Sequence, residues 1–456
     1  MFHQNNNKAE LAKIEQEARM GLKAVLYIGL LGLGVGCSDS DPRLQGEREL
    51  LDGTVFVETG ARFLAENLPD LQLPTPQPMP AWTHQGGNAQ HISTHAELPA
   101  ELILSWSRRI GLGDGKSHQI SAAPVAQDGQ LYTIDSQSMV TALDETGTIL
   151  WQTELGKSSD SLKDASGGGL AVRGTQLFVT TGFGMVVALD TSSGTQLWTQ
   201  DLASYGGASP TVYEDLLYIA ARDGAAWAID TSNGRIKWQV AGPTVAASHT
   251  GGPGPAVSDK YAVFPFGSGD VLASFRKGGL RSWSSGLSGA RLGLASTQVR
   301  DLTGQPVIEG TSVYLASSVG RMAAVDLNTG LRIWTAKQGS QGHILLAGSA
   351  VFAVSDSSAL IRVSKNDGAL IWSTPLPKFT KKSVKSRTKI HAHYGPILAG
   401  GRLILASSDG LIRQFNPADG ALILTNELPA GAASAPIVVN GTLYVLNTKG
   451  DLLAFR

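Results

Sequence analysis

The sequence predicts an all-β fold: an eight-bladed β-propeller with four-stranded antiparallel blades, its ring closed by an N-terminal strand that completes the last blade. Three observations lead there. A spacing, A-x-D-x-x-x-G-x-x-x-W, recurs through residues 98–456. Glycine is abundant (54 of 456 residues) and only 16% of residues are charged, against roughly 25% charged and about 7% Gly in ordinary domains. That balance suits many short strands joined by tight turns. The two ends of the repeating region are also incomplete in complementary ways.

The repeat is read most easily from three copies. Ala188 and Asp190 lead to Gly194 and Trp198, Ala228 and Asp230 to Gly234 and Trp238, and Ala324 and Asp326 to Gly330 and Trp334. Ala142, Asp144, Gly147 and Trp151 keep the pattern with a turn one residue shorter; Ala273, Gly279 and Trp283 keep it with Phe275 in the Asp place. Gly368 and Trp372 retain its second half, and Asn416, Gly420 and Leu424 are the weakest copy. An Asp at a strand end accepts hydrogen bonds from the next backbone N–H groups, and Gly supplies left-handed geometry within the turn. The Trp on the returning strand is expected to dock over a small residue of the neighbouring unit, with Ala the candidate. Two further apolar runs precede each turn, and the first strand often opens with a proline, as at Pro124, Pro210, Pro255, Pro306, Pro396 and Pro436. Four short strands per unit make a propeller blade.

The docking position recurs at Trp106, Trp151, Trp198, Trp238, Trp283, Trp334, Trp372 and Leu424. That counts eight blades, with seven the alternative. The chain stops at Arg456, just after a third strand, while the repeating region begins with a lone Trp strand, 102–106. Together the ends complete one blade, so the ring exposes no open edge for aggregation.

Upstream, residues 24–36 are apolar and uncharged and end in Gly34-Val35-Gly36-Cys37-Ser38. Thirteen residues fall short of the ~20 needed to span a bilayer but match the core of a signal peptide. Residues 1–36 are therefore read as a lipoprotein signal peptide, with Met20 an alternative start, and Cys37, the sole cysteine, as the lipidated residue. Residues 37–97 are read as a lipidated tether, extended and semi-rigid where five prolines fall within 67–80. One cysteine excludes an intramolecular disulfide, a multi-Cys zinc site and a c-type haem attachment, and the net charge of −1 gives no field to gather nucleic acid.

The repeat resembles the tryptophan-docking repeat of the PQQ-type propellers, a group holding quinoprotein dehydrogenases and the BamB-like lipoproteins of outer-membrane protein assembly. Arg300-Asp301-Leu302-Thr303-Gly304-Gln305-Pro306 resembles a D-V-D-T-T-P segment of the BamB-like members, and Ser248–Pro255 stands where they carry L-R-G-E-S-A-P. The resemblance implies a non-catalytic scaffold without cofactor. It would be anchored in the outer membrane facing the periplasm, as a monomer within a hetero-complex with a BamA-type insertase and other assembly lipoproteins. Contact with the insertase's POTRA domains would run through Asp301, Leu302, Thr303, His249, Thr250 and Gly251. His249 and Thr250 stand where the family has Leu and Arg, and Thr303 replaces an acid.

Two other readings compete: a periplasmic PQQ-dependent dehydrogenase, and a generic periplasmic interaction module. The first resembles enzymes that often stack their quinone on a vicinal disulfide, which one cysteine excludes. His391 and His393, on a predicted strand, would point to one face, yet no Cys or nearby carboxylate completes a metal site; they read as core or solvent-facing. The glycines of 166–169 and 251–254 lack the strand–helix setting of a phosphate loop and read as turns. Lys378–Lys389 carries six cations and no acid. It reads as a solvated insertion between two late blades, with anionic headgroups or an acidic partner as alternatives.

Overall fold

The computed structural model describes residues 68–156, 167–202, 208–221, 224–243, 252–287, 302–381, 383 and 387–456. Its strands form eight four-stranded antiparallel sheets, each strand paired with the next in sequence. Seven blades span residues 125–154, 168–201, 211–241, 256–286, 307–336, 345–375 and 393–427. The eighth joins Ile437–Val439, Thr442–Leu446 and Asp451–Phe455 to Leu104–Arg109. Trp106 stands opposite Ala454 in that closure, and Ile103 and Arg456 exchange backbone hydrogen bonds of 2.8 and 2.9 Å. The expected eight blades and the expected ring closure are both present.

The repeat motif acquires a physical meaning for each letter. Asp326 Oδ1 accepts from the N–H groups of Asn328 (3.0 Å) and Thr329 (2.8 Å), and Asp190 and Asp230 act alike on Ser192 and Ser232. Hydrogen bonds from the Thr329, Ser192 and Ser232 hydroxyls, joined by these backbone bonds, hold the carboxyls below the usual range, Asp230 at about 2, where the Ser232 hydroxyl and then Lys237 contribute most. Gly330 follows at φ +72°, and a Cβ there would lie 2.7 Å from the Trp283 ring. The Trp283 indole donates 2.7 Å to Leu327 O in the same turn. All seven docking tryptophans bind the next blade in this way, each indole donating to the carbonyl of the residue that follows the Asp position.

The docking partner in the neighbouring blade is therefore glycine, not the expected alanine. Alanine serves within the Trp's own blade. Tyr132, Ala142 and Trp151 lie in register across three strands, and the Tyr and Trp rings meet 6.0 Å apart over the small side chain. A larger residue would separate them.

Residues 68–97 depart from the expected tether. They pack on the propeller and touch every blade at its first strand or the turn after it. Backbone bonds join Met79 O to Asn440, Trp82 to Ala126 in both directions, Thr83 O to Val172, Ala89 O to Val257, Gln90 O to Ile308, and Ala96 to Leu398 and Gly400. His84 Nε2 sits 3.0 Å from Val212 O, and Gln72 O closes on Gly348. First strands of a propeller expose one backbone edge toward the axis, and this strap pairs with those edges. Trp82 is 3% exposed and His91 1%, as core side chains are.

Candidate interaction face and hub

Four antiparallel strands send the turns after the first and third strands to one face of a blade. The second turn and the link to the next blade go to the opposite face. The segments 242–255, 287–306 and 376–392 are such links, so the two loops expected to meet a partner and the basic insertion share one face. His249, Thr250, Gly251 and Asp301 lie outside the described residues, as do Cys37, Lys382 and Lys385. The described ends of the two partner loops are held firmly. Ser209 N donates 3.2 Å to Gly252 O, and Thr303 Oγ1 donates 2.6 Å to Ser340 O.

Leu302 differs from expectation. It is 2% exposed and packs with Leu287, Val313 and Val325 between blades 4 and 5, so its side chain offers no docking surface and instead anchors the loop. Thr303 is partly exposed but its hydroxyl is committed to the Ser340 carbonyl. An apolar residue just before a first strand was the available signal for this anchoring role.

The hub is crowded and polar. His91 Nδ1 donates 2.8 Å to Pro306 O, and His95 Nδ1 donates 2.6 Å to Pro74 O while its Nε2 accepts from Gly401 N at 2.7 Å. Burial lowers His84 to about 3, His91 to about 4 and His343 to about 3, with His91 adding repulsion on the other two. His343 is partly exposed as a residue, yet both ring nitrogens are buried. No residue of the strap was singled out from the sequence, which there shows neither alternation nor a known motif.

His393 also finds its place in the core. Its Nδ1 lies 2.7 Å from Ser407 Oγ and its Nε2 2.8 Å from Pro377 O, beside the Arg413–Asp409 ion pair of 2.6 Å. Among the described residues no group of three His, Cys, Asp or Glu side chains is placed to hold a metal. An open cleft of about 920 Å³ lies on the opposite face, between Arg173, Asp215, Lys237, Trp238 and Lys277. It is built from turns of three blades, so no single motif announces it.

The residues present do not fit the quinone implied by the dehydrogenase reading. A vicinal disulfide is impossible with one cysteine, and the strap's own side chains fill the hub.

Comparison with known proteins agrees with this picture. The family described as "Outer membrane protein assembly factor BamB" matches residues 136–374 and 379–456. Assembly factors of that name from Yersinia pestis and Escherichia coli are 25% and 23% identical, covering 77% and 76% of this chain and 88% and 87% of their own lengths. The fold is shared with the BamB structure from Moraxella catarrhalis (TM-score 0.65, 19% identity, 78% of this chain and all of that one). It is shared as well with a quinohemoprotein alcohol dehydrogenase from Comamonas testosteroni (TM-score 0.61, 15% identity, 82% and 80%). With the family's match running through most of the propeller, the chain belongs to the BamB family of outer membrane protein assembly factors.

Proposed function

We propose that this protein is a non-catalytic, lipid-anchored scaffold of the outer-membrane barrel assembly machinery that holds the POTRA domains of a BamA-type insertase. The observation that carries the reading is family membership over most of the propeller, joined to the links before two successive blades, whose described ends are pinned at Gly252 and Thr303. Cys37, placed after an apolar run, would carry the lipid at the inner leaflet of the outer membrane, and the chain up to residue 67 would link it to the strap.

Asp301 and the loop holding His249, Thr250 and Gly251 would make the contact, with Leu302 fixing the loop from below and Thr303 holding its backbone. A rigid platform suits such work because loops carry recognition when a stable scaffold positions them. The test is calorimetric titration of the full chain against the insertase's POTRA array. Asp301→Lys is expected to weaken binding at least about ten-fold, the cost of reversing one charge at a partly desolvated contact. Unchanged affinity would remove Asp301 from the interface.

A further inference from the structure

The insertion between blades 6 and 7 carries a strand pair of its own. Residues 378–381 and 387–391 form a short antiparallel ribbon: Thr380 N donates 3.1 Å to Lys389 O, His391 N donates 2.8 Å to Lys378 O, and Phe379 bridges Ile390. Opposite residues of such a pair point to the same side, so Phe379 and Ile390 share one face, and Ile390 is 52% exposed. The Arg387 guanidinium lies 4.9 Å from the Phe379 ring centroid and Lys378 Nζ 5.6 Å from it. Lys381 and Lys389 are exposed alongside.

None of the five ion pairs among the described residues involves the ribbon. The stretch 376–392 contains no acid and no amide side chain. Its uncharged polar side chains are hydroxyls and one imidazole, so it carries no group that would pair with a basic side chain of a protein partner. What it presents is an apolar pair ringed by cations. We infer that this ribbon is a docking element for an anionic lipid surface, the cations meeting headgroup phosphates while Phe379 and Ile390 enter the headgroup–acyl boundary. Lysines suit this task because they act as mobile point charges and need no fixed fork geometry. The ribbon stands on the same face as the segments 252–255 and 302–306, two to three blades further round the ring, and its attraction to lipid depends on neither Cys37 nor the insertase.

The test is flotation of the full-length Cys37→Ser protein, which cannot be acylated, with vesicles of phosphatidylcholine alone or mixed with phosphatidylglycerol. Preferential binding to the anionic vesicles is expected, weakening with added salt. Each cation neutralised should lower that affinity about five-fold. The combined Lys378→Gln, Lys381→Gln, Arg387→Gln, Lys389→Gln protein should therefore approach the level seen on phosphatidylcholine, with its thermal unfolding unchanged. Phe379→Ser with Ile390→Ser should weaken binding while leaving its salt dependence intact. Equal anionic binding by the parent and the four-fold variant would overturn the inference, as would a parent with no preference for phosphatidylglycerol. Ribbon-dependent binding to polyglutamate without vesicle binding would also overturn it and assign the ribbon to an acidic protein.

Discussion

Seven of the eight blade-to-blade junctions are fastened by an indole on a glycine; the eighth, between blades 7 and 8, is not. There Leu424 occupies the docking position and is 40% exposed. The reason is topological. A docking tryptophan needs the glycine and the carbonyl of the next blade's third turn, and blade 8 has no such turn because its third strand is Asp451–Phe455 and its fourth is Leu104–Arg109, entered from the strap. A tryptophan at 424 would find no partner. In place of the docked indole, polar groups tie blade 7 to the segment entering blade 8, above an apolar core that the two blades share: Arg402 reaches Leu98, Pro99 and Ala100 carbonyls and donates 2.6 Å to Gln414 Oε1, Gln414 donates 2.8 Å to Asn426 Oδ1, and Asn426 donates 3.1 Å to Leu102 O. The repeat thus weakens where its own geometry is interrupted, and a different chemistry substitutes.

The contrast can be broken most forcefully at a docked junction. Trp283→Ala removes a buried indole, its hydrogen bond and its cover over Gly330, and should cost about 3–5 kcal/mol in denaturant unfolding. Gly330→Val should follow at about 2–4 kcal/mol, since a β-branched residue at φ +72° is strained and its side chain displaces the ring. At the seam, Asn426→Ala should cost about 2 kcal/mol for its two partly buried hydrogen bonds. Leu424→Ala should fall below ~1 kcal/mol because the side chain is already largely hydrated. A Leu424→Ala protein as unstable as Trp283→Ala would show that the two junctions are fastened alike after all.

The strap sharpens the comparison from the axis, where it pairs with blades on both sides of the seam. The imidazoles of the strap's His84 and His91, with His343 from the link between blades 5 and 6, give the hub a pH signature. His84, His91 and His343 have folded values lowered to about 3–4 from 6.5, so the unfolded chain binds more protons between those limits. Stability is fully present above about pH 6.5 and falls as pH drops toward 4, by up to roughly 1.4 kcal/mol per pH unit for each proton taken up. Unfolding midpoints measured across that window should fall on acidification, and His343→Gln should lessen the slope by one proton. A slope unaltered by that change would remove His343 from the buried set.

The blade count, the ring closure and the turn chemistry were legible because each rests on local residues at fixed spacing: Asp326 to Asn328 and Thr329, Gly330 in the turn, Trp334 after it. The glycine under each tryptophan was harder to assign, since the motif places Gly and Ala in every copy and only the three-strand register tells which blade each serves. The strap was illegible for a physical reason. Residues 68–97 are held by the edges of strands far along the chain, with burial concentrated between Trp82 and Ala96, not by any period of their own, and proline-rich sequence there reads as extended whether free or pinned. At the candidate interface, the match around Asp301 located the loop, but Leu302 belongs to the core that holds it.

The scaffold reading is tested most directly by mild-detergent affinity purification of the tagged, lipidated protein from its native envelope, read by mass spectrometry. Near-stoichiometric recovery of a POTRA-containing barrel protein is expected. A folded, lipidated propeller recovered without one would contradict the account and leave the generic interaction module in its place.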